Sequence, residues 1–478
     1  MMRAAVATLR IAAAGALYAA LLSPAACRSR PDPSIVLVTI DTLRADHLGC
    51  YGSPRATSPH IDALARGGLL FERATTTLPR TTQAVGSLLT GRYPKSHGAR
   101  GLFMRLPETN LTLAEALRGA GYATAAAVSN TFLRPGQGFE QGFDRYDNPQ
   151  ARWDGNSAEE VTRSAIALLD ALAAGPRRPF FLWVHYLDPH WRYEPGPPWD
   201  KAFDPAFAGP LTVYADLDAR RLTKGRLIFD PPLDARQKEH LVALYDGEIA
   251  RTDAALGALL QRLDRVQGPL LTVLTADHGE SLGEHGYHFA HGETLYEGSL
   301  RVPLLFRLPG RIAAGVRSRI LAENVDVAPT ILALAGVDRL QGVEGRPLLV
   351  SAGTPGAMAP VAEGRPFAHS ESDFQLIHPE NPRFYLPGPR GRWTAATDGR
   401  FKLILIPIPG GEILELYDLE GDPRETVNRI DDPSLDAVRQ RLLVEVKRFA
   451  DYAPAGGVDG EGLSREEEER LRSLGYIN

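Results

Sequence analysis

Four short apolar runs constrain this chain most. Ser34 to Ile40, Thr124 to Val128, Phe180 to Tyr186 and Leu270 to Thr275 hold five to seven residues each and give way to polar side chains. Runs of that length read as buried strands. Between them, Leu111 to Ala120, Ala158 to Leu172 and Leu233 to Leu263 carry apolar residues at helical spacing. A strand apolar on both sides of its pleat needs cover on both faces, and intervening helices supply it as crossovers. The pattern predicts an α/β fold: a mostly parallel central sheet with helices on both faces. With 44% hydrophobic residues in 478, the chain has material for such a core.

From Leu348 to Pro389 the sequence is richer in Pro, Gly and Ser and lacks periodic runs, which marks a boundary. Residues 34–347 then read as one domain and 348–478 as a smaller α+β subdomain. Its predicted antiparallel strands are Trp393 to Ile406 and Ile413 to Leu419, and its predicted helices are Ser434 to Tyr452 and Ser464 to Leu474.

At the N-terminus, Arg3 and Arg10 precede an apolar run from Ile11 to Leu22, with the small residues Ala25 and Ala26 beyond. Roughly a dozen apolar residues cannot cross a ~30 Å hydrocarbon core, so residues 1–27 read as an export signal. Leu22-Ser23-Pro24-Ala25-Ala26-Cys27 resembles a bacterial lipoprotein cleavage site, in which Cys27 would be lipidated and tie the protein to a membrane. Simple cleavage and an uncleaved anchor are the alternatives. The expected location is the periplasm or cell envelope. Cys50 is the only other cysteine and reads as a buried packing residue. A net charge of −5 without basic blocks gives no reason to expect nucleic acid.

What stands at the strand ends is informative. Asp41 follows the first run, Ser129-Asn130 the second, Asp188 and His190 the third, and Asp277-His278-Gly279-Glu280 the fourth. In an open parallel sheet the C-terminal strand ends share one edge, where ligands bind. Asp41, Asp277 and His278 are the metal candidates, since carboxylate and imidazole suit a divalent cation. Each alone has a structural explanation, as a helix cap or a hydrogen-bonded histidine; the set points to a site. Leu78 to Gly91 reads as a loop entering a short helix with Thr81 at its start, where unpaired N–H groups favour an oxyanion. As an isolated feature, Thr81 or Thr82 would be an N-cap. Glu280, Glu284, His285 and His288 are further possible ligands, but they lie in a Gly-rich polar loop, where such residues are more often solvent-exposed.

Several segments resemble motifs of the sulfatase family, within the alkaline phosphatase superfamily, and in its order. They are Ile40-Asp41-Thr42-Leu43-Arg44-Ala45-Asp46-His47-Leu48-Gly49, Ser87-Leu88-Leu89-Thr90-Gly91-Arg92-Tyr93-Pro94, Asp188-Pro189-His190 and Ala276-Asp277-His278-Gly279-Glu280. Leu295-Tyr296-Glu297, Arg301-Val302-Pro303, Val325 to Thr330 and Glu415 to Leu419 extend the match over nearly the whole chain. The resemblance implies that 34–347 is the catalytic domain. It also implies a metal-dependent hydrolase of sulfate esters or related phosphate and phosphonate esters.

The family's nucleophile, a Cys or Ser oxidised to formylglycine, falls on Thr81, followed by Gln83 where proline is usual and Val85 where arginine is usual. Threonine cannot become that aldehyde, but its alkoxide is what related phosphodiesterases use. Thr42 stands where a second metal-binding Asp is common, and Ser129-Asn130 where Lys and His are common. By resemblance His190 is the general acid, with His291 and Asn130 contacting the ester oxygens. One divalent cation is implied, calcium as in sulfatases. Zinc or manganese is the alternative, with two ions if Asp188, His190 and His291 also converge. The expected partner is a sulfated or phosphorylated small molecule or glycan. Two other readings are a phosphotransferase acting on an envelope glycan or lipid, and a catalytically inactive homologue that binds glycan.

Overall fold

The computed structural model describes residues 32–101, 104–149, 158–174, 178–208, 233–354, 356–373, 392–408 and 410–453. The export segment with Cys27 and the predicted helix Ser464 to Leu474 lie outside them. No helix among the described residues is long and apolar enough to cross a membrane.

The strands in chain order are β1 (Ser34–Ile40), β2 (Leu69–Thr75), β3 (Ala123–Val128), β4 (Arg145–Asp147), β5 (Phe180–Tyr186), β6 (Leu270–Ala276), β7 (Ser281–Leu282), β8 (His288–Ala290), β9 (Leu304–Arg307) and β10 (Val316–Glu323). Eight of them form one sheet in the order β10-β2-β9-β6-β1-β5-β3-β4, while β7 and β8 pair separately. Within the large sheet only β9 runs against the rest, antiparallel to both β2 and β6. Every residue of β3, β5 and β6 is buried, so both faces of the sheet's centre are covered.

The four strands expected from sequence are all present and adjacent, as β6-β1-β5-β3. The others did not stand out because they lack an unbroken apolar run. β2 carries Glu72 and Arg73, and the edge strand β10 carries Arg317 and Arg319, whose charges suit an exposed margin. The predicted helices appear as Leu113–Gly119, Ala158–Ala174 and Ala235–Leu263. Asp234 starts the last with a capping box, accepting from the Gln237 N–H at 2.7 Å while the Gln237 side chain accepts from the Asp234 N–H at 3.0 Å.

Two short strands, β11 (Leu349–Ser351) and β12 (Met358–Pro360), precede a four-stranded antiparallel sheet. That sheet comprises β13 (Ala368–Glu371), β14 (Thr394–Thr397), β15 (Phe401–Ile408) and β16 (Gly411–Asp418), in chain order. Trp393 to Ile406, expected as one strand, is a hairpin. Asp398 Oδ1 accepts from the N–H groups of Arg400 and Phe401, and Gly399 takes φ 91°. An Asp-Gly pair is a strong turn signal, and here it outweighs the flanking strand propensity. The helix Asp436–Ala450 packs on this sheet, within the range read from sequence.

Both sheets belong to one compact unit, and their junction bears on the site. Glu371 N–H donates to Thr77 O at 2.9 Å and the Ser370 hydroxyl to Thr76 O at 2.7 Å. Asp373 N–H donates to Gly292 O at 2.8 Å. The C-terminal sheet thus braces the loop that leads into Thr81 and the loop that follows His291. Cys50, expected to be buried, packs against the core but keeps part of its surface in solvent, because it sits in a surface 3-10 turn.

Candidate active site

Strand register brings the residues together. Ile40 lies opposite both Tyr186 and Ala276, and Val128 lies opposite His185, so the four central strands end at one level. The next residues therefore emerge at one rim. Asp41 is fixed there by its N–H bond to Tyr186 O, 2.9 Å, and Ser129 by its bond to His185 O, 3.0 Å.

Thr81 arrives from farther away. After β2 the chain crosses as Thr76 to Arg80 and enters the helix Thr81–Thr90, which is buried throughout and stops at Gly91 with φ 67°. Asn324 clamps this crossing: its amide donates to the Thr76 hydroxyl at 3.1 Å and to Ala84 O at 3.2 Å, and its carbonyl accepts from Thr77 N–H at 3.3 Å. The Thr81 hydroxyl donates to Asp41 Oδ2 at 3.3 Å and lies 3.5 Å from His278 Nε2. Asn130 Nδ2 donates to the same Asp41 oxygen at 2.8 Å.

The other oxygen of Asp41 is the telling one. Asp41 Oδ1 and Asp277 Oδ2 are buried and lack hydrogen-bond partners among the described residues. They lie 3.6 and 3.5 Å from His278 Nε2. His278 Nδ1 is 2.9 Å from Gly279 O, a group that only accepts, so Nδ1 carries the hydrogen and Nε2 presents a lone pair. Two bare carboxylate oxygens and an imidazole lone pair facing one another fit a divalent cation.

The electrostatics agree. Burial opposes the ionised form of Asp41, yet His185, His190 and His278 around it hold its carboxyl below the usual range. Burial, together with the charge on Asp41, pushes Asp277 well above that range. Burial also keeps His278 neutral. Two buried carboxylates this close cannot both ionise without a counter-charge, which a cation supplies.

His185, which sequence reading missed, joins the cluster. Asp41, His185 and Asp277 each offer a ligand atom, all within 4.8 Å of one another. Its Nε2 lies 3.7 Å from Asp41 Oδ2, and its Nδ1 is 2.8 Å from the Thr39 hydroxyl, which also accepts from Trp183 Nε1 at 2.9 Å. The only signal for it was a histidine inside an otherwise apolar strand. Asp188, His190 and His291 do not form a second such cluster among the described residues.

His190 and His291 flank this cluster as a row of rings. The His190 and His291 centroids are 5.2 Å apart, and those of His291 and His278 4.4 Å. His190 Nδ1 donates to Trp191 O at 2.7 Å. Thr42, which takes the second-Asp position, has φ 53°, a left-handed conformation that is rare for a β-branched residue. The Gly-rich loop expected to be exposed is partly buried. Glu280 is fully enclosed against His291, and Glu284 accepts from Arg44 Nη1 at 2.7 Å, because Arg44 and the ring cluster draw the loop inward.

The fold is of the alkaline phosphatase-like α/β type. A family model described as Sulfatase matches residues 33–337, more than half of the chain. The protein belongs to the sulfatase family, whose members are metal-dependent ester hydrolases. It is 27% identical over 344 residues to the ulvan-active sulfatase of Formosa agariphila, over 66% of this chain and 64% of that one. The chain thus spans a little under two thirds of that relative. A solved structure with its substrate D-glucosamine-2-N,6-O-disulfate superposes at TM-score 0.70, with 22% identity, covering 90% of this chain and all of the other. The phosphonate monoester hydrolase of Agrobacterium radiobacter superposes at 0.67, with 23% identity, covering 91% and 99%. At these identities the two structures speak for the fold.

Proposed function

We propose that the protein hydrolyses sulfate esters, or the related phosphate and phosphonate esters, with Thr81 as nucleophile. The observation that carries this is the Thr81 hydroxyl, held at a helix start between Asp41 Oδ2 and His278 Nε2 beside two partnerless carboxylate oxygens. Asp41, Asp277 and His278 would hold a divalent cation, with His185 within reach. Such a cation lowers the pKa of a nearby hydroxyl and offsets charge on the ester oxygens.

The chain's own groups do the rest. Thr81 directs its hydrogen at Asp41, so its oxygen can form a bond to sulfur or phosphorus as the bond to the leaving oxygen breaks. His190, with Nδ1 tied to a carbonyl, gives the departing oxygen a proton from Nε2. Asn130 and His291 contact the remaining oxygens. Water then cleaves the threonine ester. A hydroxyl nucleophile needs no formylglycine, which favours turnover over an inactive glycan-binding role. Sulfated or phosphorylated glycans and small molecules are the substrate class. Export with lipidation of Cys27 belongs to the same reading, on the strength of the N-terminal segment alone.

The test is a panel of aryl sulfate, phosphate diester and phosphonate monoester substrates offered to the purified, metal-loaded protein. Turnover that Asp277→Ala abolishes supports the reading. Activity untouched by that change rejects the site. Product phosphate on an added alcohol instead of free in water would transfer the case to a phosphotransferase.

A further inference from the structure

One buried carboxyl at the site has no part in the reading above. Glu280 is completely enclosed, and its Oε1 lies 3.1 Å from Nδ1 of His291. Tyr193 lies beside the same carboxyl. Its backbone is locked as well. Arg44 Nη1 donates to Glu280 O at 3.1 Å, and Gly279 N–H donates to Ser299 O at 2.9 Å. A side chain at Gly279 would meet Gly298 O at 2.1 Å, so the two segments touch backbone to backbone. The carboxyl is aimed by a rigid scaffold, the arrangement that holds a functional group in a narrow range of geometries.

A carboxyl against one nitrogen of an imidazole removes a freedom that matters. A histidine at a rim can turn about its side-chain torsions and present either nitrogen to a ligand. With Nδ1 engaged, His291 has one orientation, and Nε2, on the opposite edge of the ring, is the end that meets a ligand. The neighbouring rings of His278 and His190, at 4.4 and 5.2 Å, support that setting but cannot choose between the two nitrogens; Glu280 can.

We propose that Glu280 is a positioning residue that acts through His291, holding Nε2 of that ring toward the ester oxygens. This rests on the placement of His291 in the reaction argued above. It predicts non-additivity, because a residue that works only through His291 has nothing to lose once His291 is gone.

The test is a double-mutant cycle on kcat, with Glu280→Leu and His291→Ala separately and together. Glu280→Leu should lower kcat by about 10–100-fold, the usual cost of losing such a partner. The same change in the His291→Ala background should cost nothing further. Glu280→Gln, whose amide oxygen can still accept from Nδ1, should recover most of the loss. Equal costs in both backgrounds overturn the proposal, and so does Glu280→Gln as damaging as Glu280→Leu.

A second arm needs no turnover. In 15N-histidine-labelled protein the Nδ1 resonance of His291 should shift on Glu280→Leu, and by less on Glu280→Gln. Should Glu280→Leu not fold, the near-isosteric Glu280→Gln decides. A resonance indifferent to its partner overturns the assignment even if no panel substrate is hydrolysed, and a shifted one upholds the Glu280–His291 link even if the ester reading fails.

Discussion

His278 Nε2 faces Asp41 Oδ1 at 3.6 Å, and Asp277 Oδ2 lies 3.5 Å from the same nitrogen. The hydrogen on His278 sits at its other nitrogen, against Gly279 O. Three electron-rich atoms at these separations repel one another, and the two carboxylate oxygens are buried without a donor to answer them. A cation between them would offset that repulsion.

Metal removal should therefore lower stability as well as activity. Chelation followed by dialysis is expected to lower Tm, and a restored divalent cation to raise it. At a hundredfold excess over Kd the gain is about 3 kcal/mol. Elemental analysis should find about one ion per chain, lost in Asp277→Ala. A melting temperature indifferent to chelator would sink the site.

Replacing Thr81 by valine keeps the shape and removes the hydroxyl. Thr81→Val should fold with Tm within a few degrees of the parent and lose about 10³-fold or more in kcat. Thr81→Ser should keep much of the rate. Comparable turnover by parent and Thr81→Val would rule out this nucleophile.

His97 makes the fold acid-sensitive. Its Nδ1 accepts from Ala99 N–H at 3.2 Å, and its Nε2 faces Gln83 O at 3.2 Å and the Ser87 hydroxyl at 3.3 Å, so the neutral ring is satisfied and a second proton would meet a donor. Burial, with Arg92 and Arg100 adding to it, pushes its pKa down to about 3. The unfolded chain takes up that proton near the ordinary value of about 6.5. The stability at stake is thus whole above that pH and drains away as pH falls toward 3, by up to roughly 4 kcal/mol. Urea titrations between pH 7 and 4 should show a shallower decline for His97→Gln. Parallel curves would refute the assignment.

Lys402 ties the two sheets' surroundings together. Fully buried, its Nζ lies 2.8 Å from Glu297 Oε1 and 2.6 Å from Glu425 Oε1. Lys402→Met would leave both carboxylates without a counter-charge and should cost about 3–5 kcal/mol by denaturant unfolding. Adding Glu425→Gln should recover part of it. A neutral Lys402→Met would contradict this account.

Much of the candidate site could be read before the fold was known. Asp41, Asp277 and His278 directly follow apolar runs, and Thr81 stands at a helix start; both signals are local, because strand and helix periodicities show within a few residues. His185 could not be found that way. It sits one residue before the end of a strand of Phe, Leu, Trp, Val and Tyr, and only the register that sets it opposite Thr39 and Val128 brings it to Asp41. Glu280 was misread for a related reason: its neighbours in sequence are polar, and its neighbours in space are His291 and Tyr193.

Local pattern was enough for which segments become central strands, which side chains stand at their ends, and why Thr81 cannot follow formylglycine chemistry. The position of β2 two strands away from β6, the reversed β9 between them, and the carboxyl behind His291 emerged only in three dimensions. Strand order and the partners of buried polar atoms depend on contacts between residues far apart in the chain. No window along the sequence holds both sides of such a contact.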